Sequence, residues 1–135
     1  MKKISFYYLK YLLLLFPVLL IQNSFAQNSI TPDDLYEKLI NLPGIVSVTE
    51  IEAESGYDAS FKVFISQPLD HKNPEGTHFN QKFYLSHRDE NLPVVIELDG
   101  YSMPTNRSTE LADIMECNKI IVEHRYFGES SAENP

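Results

Sequence analysis

The amino-acid sequence predicts an α/β fold in which antiparallel strands precede a parallel strand–helix–strand unit. Residues 45–52 and 79–87 alternate apolar and polar side chains, which is typical of strands with one buried face. Residues 93–98 are almost continuously apolar, which favours a strand covered on both faces. A second such run at 119–123 follows a segment with helical spacing, and this order predicts a parallel crossover.

The first 26 residues have the composition of a secretory signal peptide. Three lysines flank the start of an apolar stretch that continues to Ile21, and a small-x-small ending at Ala26 follows. We therefore expect cleavage after Ala26 and a secreted or periplasmic protein. An uncleaved membrane anchor is the alternative, although Lys10 and Pro17 interrupt the apolar stretch.

Charge and cysteine content exclude several classes of protein. The chain has 11 Lys and Arg against 19 Asp and Glu, and loss of the N-terminal lysines would make it still more acidic. Nucleic acids and anionic membranes bind positively charged protein surfaces, so neither is expected as a partner. The single cysteine, Cys117, cannot close an intrachain disulfide, which excludes a small disulfide scaffold. We interpret Cys117 as a buried apolar residue at a helix end.

Within a single domain, residues 27–60 are expected to form a helix and a strand. Thr31 is placed to cap the helix, because Pro32 occupies the first helical position and acids follow in the first turn. The helix is expected to end at 41–44, where Pro and Gly occur together. The alternating strand at 45–52 follows directly.

Residues 61–135 are expected to hold the rest of the sheet. A strand at 61–66 leads into a loop at 67–76 that carries two prolines and a glycine. The alternating strand at 79–87 comes next, before the crossover unit.

The crossover helix is expected to span about ten residues. Its apolar stripe consists of Leu111, Ile114 and Met115, and Ser108 or Asn106 is available as its cap. Antiparallel strands followed by a parallel crossover is the order in which an α/β-hydrolase sheet is built.

Sites of open α/β sheets form beyond the carboxyl ends of the parallel strands. Residues 99–102 and 123–128 occupy those two positions here. In a hydrolase sheet, the loop after the third strand supplies a backbone N–H of the oxyanion hole. Gly100 and Tyr101 stand where that loop is expected, although an ordinary Asp-Gly turn is the alternative.

Ser130, near the end of the chain, lies in a sequence similar to the motif that carries a nucleophilic serine. Residues 128–131 come close to the Gly-x-Ser-x-Gly elbow, but Ala132 stands in place of the second glycine. The elbow must follow a strand directly, whereas Ser130 lies seven residues after Glu123. We interpret Ser130 as a loop residue, and no catalytic triad can be assembled from this chain. The four histidines lack the short spacing of zinc ligands, so neither a metal nor another cofactor is expected.

Several stretches carry a family resemblance. They are FISQPLDH at 64–71, GxxFxQxF at 76–83, PVV at 93–95 running into GY at 100–101, ELA at 110–112 and IVEHRYFGES at 121–130. Together they resemble the N-terminal part of secreted serine peptidases over residues 61–133. The closest likeness is to family 37, the tripeptidyl-aminopeptidase type. Family 28, with prolylcarboxypeptidase, is similar but has cysteine pairs and a richer glycine pattern that this sequence lacks.

The resemblance implies an α/β-hydrolase peptidase that removes short peptides from a free N-terminus, often with a proline preference. Such enzymes use a Ser-Asp-His triad, no metal and no other cofactor. In them the triad lies beyond the position of Pro135, so residues 61–135 are expected to be the N-terminal part of a peptidase domain. The chain would then be an inactive fragment of an enzyme whose partners are peptide substrates.

The same resemblance gives roles to residues at the strand end. The oxyanion-hole candidates are Tyr101 and Gly100, and the supporting residues are Glu123, His124, Arg125, Gly128 and Ser130. A buried unpaired charge costs several kcal/mol, so an acid and a guanidinium here are expected to pair or to bond to neighbouring loop carbonyls. A secreted or membrane-anchored α/β binding module without chemistry is the alternative.

Overall fold

A computed structural model describes residues 30–131, which form one mixed five-stranded sheet and two helices. The predicted signal peptide, residues 1–26, lies outside the described residues. The elements in chain order are α1 (Pro32–Ile40), β1 (Ile45–Ile51), β2 (Ala59–Pro68), β3 (His78–His87), β4 (Val94–Leu98), α2 (Glu110–Met115) and β5 (Asn118–Val122).

Helix α1 begins where its capping residues predicted. The side chain of Thr31 accepts a hydrogen bond from the backbone N–H of Asp34 at 3.2 Å, and the backbone N–H of Thr31 donates to the Asp34 carboxylate at 3.3 Å. This reciprocal pair is a capping box, with Pro32 in the first position. Leu39 on the inner side of the helix packs into a core formed mainly by β1 and β2.

The strand order is β1-β2-β3-β5-β4. The first three strands are antiparallel neighbours, and β5 pairs antiparallel with β3. β4 pairs parallel with β5 in a register that runs from Val94 opposite Asn118 to Leu98 opposite Val122. The predicted parallel crossover is therefore confirmed. β2 is longer than the predicted 61–66, because all ten of its residues pair with β3.

Helix α2 is shorter than predicted. It has 6 residues instead of about ten and follows Thr109. Asn106, one of the expected caps, instead donates its side-chain amide to the hydroxyl of Ser86. Glu116 ends the helix in the left-handed conformation, with φ of 48°. The expected apolar stripe of the helix is exposed, and Ala112 is its buried residue.

The prediction that β4 is covered on both faces is wrong for the described residues. Val94, Ile96 and Leu98 are 48%, 60% and 76% exposed. Helix α1 and its core cluster cover the sheet at β1, β2 and β3, and none of the residues of that cluster is on β4. An open, mainly apolar groove of about 230 Å³ lies beside this exposed face, lined by Ile65, Gln67, Gln81, Phe83, Ile96, Ile120 and Val122.

The opposite face of the sheet carries a second core that is unusually polar. Tyr84, Met103 and Ile121 form its apolar part, and Lys82 and Lys119 are buried beside them. Cys117 is a buried free thiol, as expected. No helix among residues 30–131 has the length and apolar character needed to cross a membrane.

Candidate active site

Two loops meet at the carboxyl ends of the parallel strands. The β4 loop, residues 99–104, follows β4, and the β5 loop, residues 123–131, follows β5. The ring of Tyr101 packs edge-on against the ring of Phe127, with centroids 5.5 Å apart. The structure thus brings together the two segments that the parallel crossover was expected to place side by side.

The carboxylate of Glu123 is the centre of this region and is completely buried. One oxygen, Oε1, accepts from the backbone N–H of Met103 at 2.8 Å and lies 3.0 Å from Nζ of Lys82. The other, Oε2, accepts from the backbone N–H groups of Glu129 and Ser130 at 3.0 and 2.9 Å. One side chain therefore ties β3 and both loops together.

The ammonium of Lys82 provides the opposite charge. Its side chain is 1% exposed, and Nζ donates to the carbonyl of Met103 at 2.6 Å and to the Glu129 carboxylate at 2.9 Å. Sequence reasoning did not identify this residue, because alternation in a strand shows which residues share a face and not what packs on it. Lys82 is buried because β3 lies between β2 and β5, and the β4 loop covers it.

The hydroxyl of Ser130 is fully occupied. It donates to Glu123 Oε2 at 2.8 Å and accepts from the backbone N–H of Lys82 at 2.9 Å. Ser130 is also completely buried. This hydroxyl is therefore arranged to hold the β5 loop onto β3, and it has no free path to a substrate.

Arg125 connects the β5 loop to the segment between β2 and β3. Its guanidinium donates to the carbonyl of Leu69 at 2.7 Å and lies 3.1 Å from Nε2 of His71. It also lies 5.0 Å from the ring centroids of Phe79 and Tyr126. Of the two expected arrangements, the structure shows bonding to loop carbonyls. The two motifs QPLDH and EHRYFGES, which are far apart in the sequence, are thus in direct contact.

The remaining candidate residues are open to solvent. His124 is exposed, and its Nδ1 lies 2.6 Å from the carbonyl oxygen of Arg125. The side chain of Tyr101 is 72% exposed, and its backbone N–H lies 3.4 Å from the Asp99 carboxylate. A Cβ placed on Gly100 would have no atom within 4 Å. The two residues named as oxyanion-hole candidates therefore lie at the surface, where the Tyr101 N–H donates to Asp99.

The model of the family described as PS-10 peptidase S37 matches residues 30–135. The chain belongs to this peptidase family. A relative from Streptomyces mobaraensis, named prolyl tri/tetrapeptidyl aminopeptidase, is 34% identical to this S37 chain over 95 residues. The match covers 70% of the chain and 20% of the relative, so the chain spans about a fifth of that protein's length. The resemblance to family 37 is confirmed.

Charges in this S37 chain stabilise one another. Burial alone would raise the pKa of Glu123, but hydrogen bonds from Met103, Lys82 and Ser130 hold that pKa below its ordinary value. Burial would likewise lower the pKa of Lys82, and its bonds to Glu129 and Glu123 raise that pKa instead. Among residues 30–131, no group of acidic, histidine or cysteine side chains is placed to hold a metal ion.

The lowered pKa of Glu123 predicts an acid-dependent loss of stability. An unfolded glutamate titrates near pH 4.3, and the folded carboxylate titrates below that. The contribution of the Glu123 carboxylate to the folding free energy is therefore complete above about pH 4.3. It is lost as the pH falls through the pKa of Glu123 in the folded protein. We expect the free energy of unfolding of the full-length protein to fall more steeply below about pH 4 than that of the Glu123→Gln variant, measured by urea titration. Equal slopes would contradict the prediction.

The Arg125 contacts predict a second effect. Arg125→Ala in the full-length protein should lower the free energy of unfolding by about 1.5–3 kcal/mol, because a charged hydrogen bond to Leu69 is lost. The yield of folded protein and the peptidase rate should both fall. Lys38→Ala is the matched control, since that ammonium is exposed and lies 3.9 Å from the Glu90 carboxylate at the surface. Normal yield and rate for Arg125→Ala would disprove the role.

Proposed function

We propose that this chain is the N-terminal part of a secreted serine exopeptidase that releases short peptides from free N-termini and prefers proline-containing substrates. The observation that carries the proposal is the pair of loops at the carboxyl ends of β4 and β5, joined through buried Glu123, in a chain of the S37 family. The name of the Streptomyces mobaraensis relative, prolyl tri/tetrapeptidyl aminopeptidase, supports the release of short peptides and the preference for proline.

The proposed fold of the whole enzyme is an α/β-hydrolase. The sheet order, with one parallel pair among the strands of residues 30–131, is compatible with the first strands of such a sheet. In this arrangement the backbone N–H groups of Gly100 and Tyr101 stabilise the oxyanion that forms when a serine attacks the scissile carbonyl. The serine, aspartate and histidine of the triad come from a part of the enzyme that this chain does not include. The chain alone is then inactive.

The mouth of the proposed site is aromatic. Tyr101, Tyr126 and Phe127 are all exposed there, at 72%, 58% and 38%. Flat aromatic faces are the surfaces on which proteins commonly bind proline rings. These side chains therefore suit a substrate that contains proline.

The function is tested with the full-length protein and tripeptidyl p-nitroanilides that end in proline. We expect release of p-nitroaniline, inhibition by a serine-directed sulfonyl fluoride, and little reaction when the substrate N-terminus is acetylated. Residues 1–135 alone should release none. Equal cleavage of the acetylated substrate would disprove an exopeptidase. A folded full-length protein that cleaves nothing would favour the non-catalytic α/β binding module.

Secretion is a separate part of the proposal. A signal peptide that ends at Ala26 predicts that the exported protein begins with Gln27. N-terminal sequencing of the protein from the culture medium or the periplasm checks this. An intact Met1 in a membrane fraction would instead support the anchor.

A further inference from the structure

Two buried charges hold both backbone polar groups of one residue in the β4 loop. The ammonium of Lys82 donates to the carbonyl of Met103 at 2.6 Å. The carboxylate of Glu123 accepts from the backbone N–H of Met103 at 2.8 Å. The backbone at Met103 cannot turn without breaking a charge-assisted hydrogen bond, and such bonds are about twice as strong as neutral ones.

The β4 loop is anchored at its two ends and open between them. At its start, the backbone N–H of Asp99 donates to the carbonyl of Val122 at 2.9 Å. At its end, the Met103 side chain is buried and its backbone is held by the two charges. Between these points residues 100–102 are exposed, and a Cβ placed on Gly100 would have no atom within 4 Å.

We propose that Lys82 is a positioning residue that clamps Met103 and thereby fixes the direction of the backbone N–H groups of Gly100 and Tyr101. This inference rests on the proposed function, in which those groups bind the oxyanion. Lys82 is a positioning and not a catalytic residue, because its ammonium is buried beneath the loop.

If Lys82 only stabilised the fold, an ammonium would not be needed at this position. Well-packed apolar residues often replace a buried ion pair without loss of stability. An apolar side chain at position 82 would, however, leave the Met103 carbonyl without its donor. The ammonium therefore contributes a fixed geometry to the loop that packing alone does not supply.

The test compares Lys82→Met with Lys119→Met in the full-length protein. Lys119 is the matched control, because it is also completely buried, pairs with Glu54 at 2.9 Å and donates to a loop carbonyl, that of Arg107. Two properties are measured: hydrogen exchange of the peptide that contains 99–104, and the steady-state constants for a tripeptidyl p-nitroanilide.

Lys82→Met is expected to speed exchange of residues 99–104 by about tenfold or more, because opening of the loop no longer breaks a charged hydrogen bond. It should lower kcat by about 10–100-fold with little change in KM, because misplaced donors act on the transition state. Lys119→Met should leave the exchange rate and the steady-state constants near the values of the unmodified protein. This should hold even if Lys119→Met lowers the melting temperature as much as Lys82→Met does. Equal effects of the two variants, or no effect of Lys82→Met, would overturn the proposal.

If Lys82→Met does not fold, Lys82→Met/Glu123→Gln removes both charges and leaves no unpaired ion in the core. Fast exchange of residues 99–104 in this folded variant supports the clamp, and exchange at the unmodified rate overturns it. Failure of the proposed function is recognised separately, because the unmodified protein would then hydrolyse no peptide. The exchange measurement still decides the clamp in that case.

Discussion

Replacing Glu123 with alanine should cost the full-length protein about 3–5 kcal/mol of folding free energy. The substitution leaves the Lys82 ammonium buried and removes the fully buried one of its two carboxylate partners. It also removes the acceptor of three backbone N–H groups, those of Met103, Glu129 and Ser130. Unpaired buried donors add their own desolvation cost. Urea denaturation at neutral pH measures the loss.

Glu129→Ala is the matched control for this experiment. Its carboxylate contacts the same ammonium at 2.9 Å, but its side chain is 48% exposed. Solvent screens the half-exposed Glu129 carboxylate in its pairs with Lys82 and Lys62, so the expected loss is small, about 0–1 kcal/mol. Glu123→Gln retains the size of the side chain and one acceptor oxygen. Its loss of folding free energy should therefore lie between those of Glu123→Ala and Glu129→Ala. If Glu129→Ala and Glu123→Ala destabilise the protein equally, burial is not the source of the effect.

Replacing Gly128 with alanine should be almost as damaging, with a loss of about 3 kcal/mol. Gly128 has φ of +51°, a conformation that side chains with a Cβ rarely adopt. The new Cβ would collide with Oε1 of Glu123 and lie 2.9 Å from its Cδ and 3.1 Å from Cβ of Ser102. The buried carboxylate cannot move aside, because it is held by its hydrogen bonds.

Gly100→Ala is the control for Gly128→Ala, measured by the same urea denaturation. A Cβ at Gly100 meets nothing within 4 Å, and its φ lies outside the left-handed range. We expect a change in unfolding free energy within about 0.5 kcal/mol. A Gly128→Ala variant as stable as Gly100→Ala would show that the β5 loop shifts without cost.

Local signals in the sequence predicted most of the elements. Thr31 and Pro32 defined the start of α1, and alternation or apolar runs located all five strands. The parallel pairing of β4 and β5 then followed from the helix between them. Because parallel strands have their carboxyl ends at one edge, the positions of both loops were predictable as well.

Long-range partners were not predictable. The sequence indicated that Glu123 needed a partner at a strand end, but its partner Lys82 lies on β3 and becomes a neighbour only through the β3–β5 pairing. The exposure of β4 was missed for a related reason. An apolar run shows that a strand can be buried, whereas its exposure depends on which elements pack against it. Helix α2 was overestimated because Asn106 bonds to Ser86 instead of capping the helix.

The position of β5 determines when the two loops can meet during synthesis. β5 is the last strand of the described residues, yet it lies between β3 and β4. While the chain is emerging from the ribosome, β1, β2 and β3 can pair with their sequence neighbours, but β4 has no strand partner until residues 118–122 appear. Insertion of β5 then forms its pairing with β3 and with β4 at the same time. The entropic cost is the ordering of the chain between β3 and β5. Closure of this five-stranded part of the sheet and assembly of the loop pair are therefore the same step of folding.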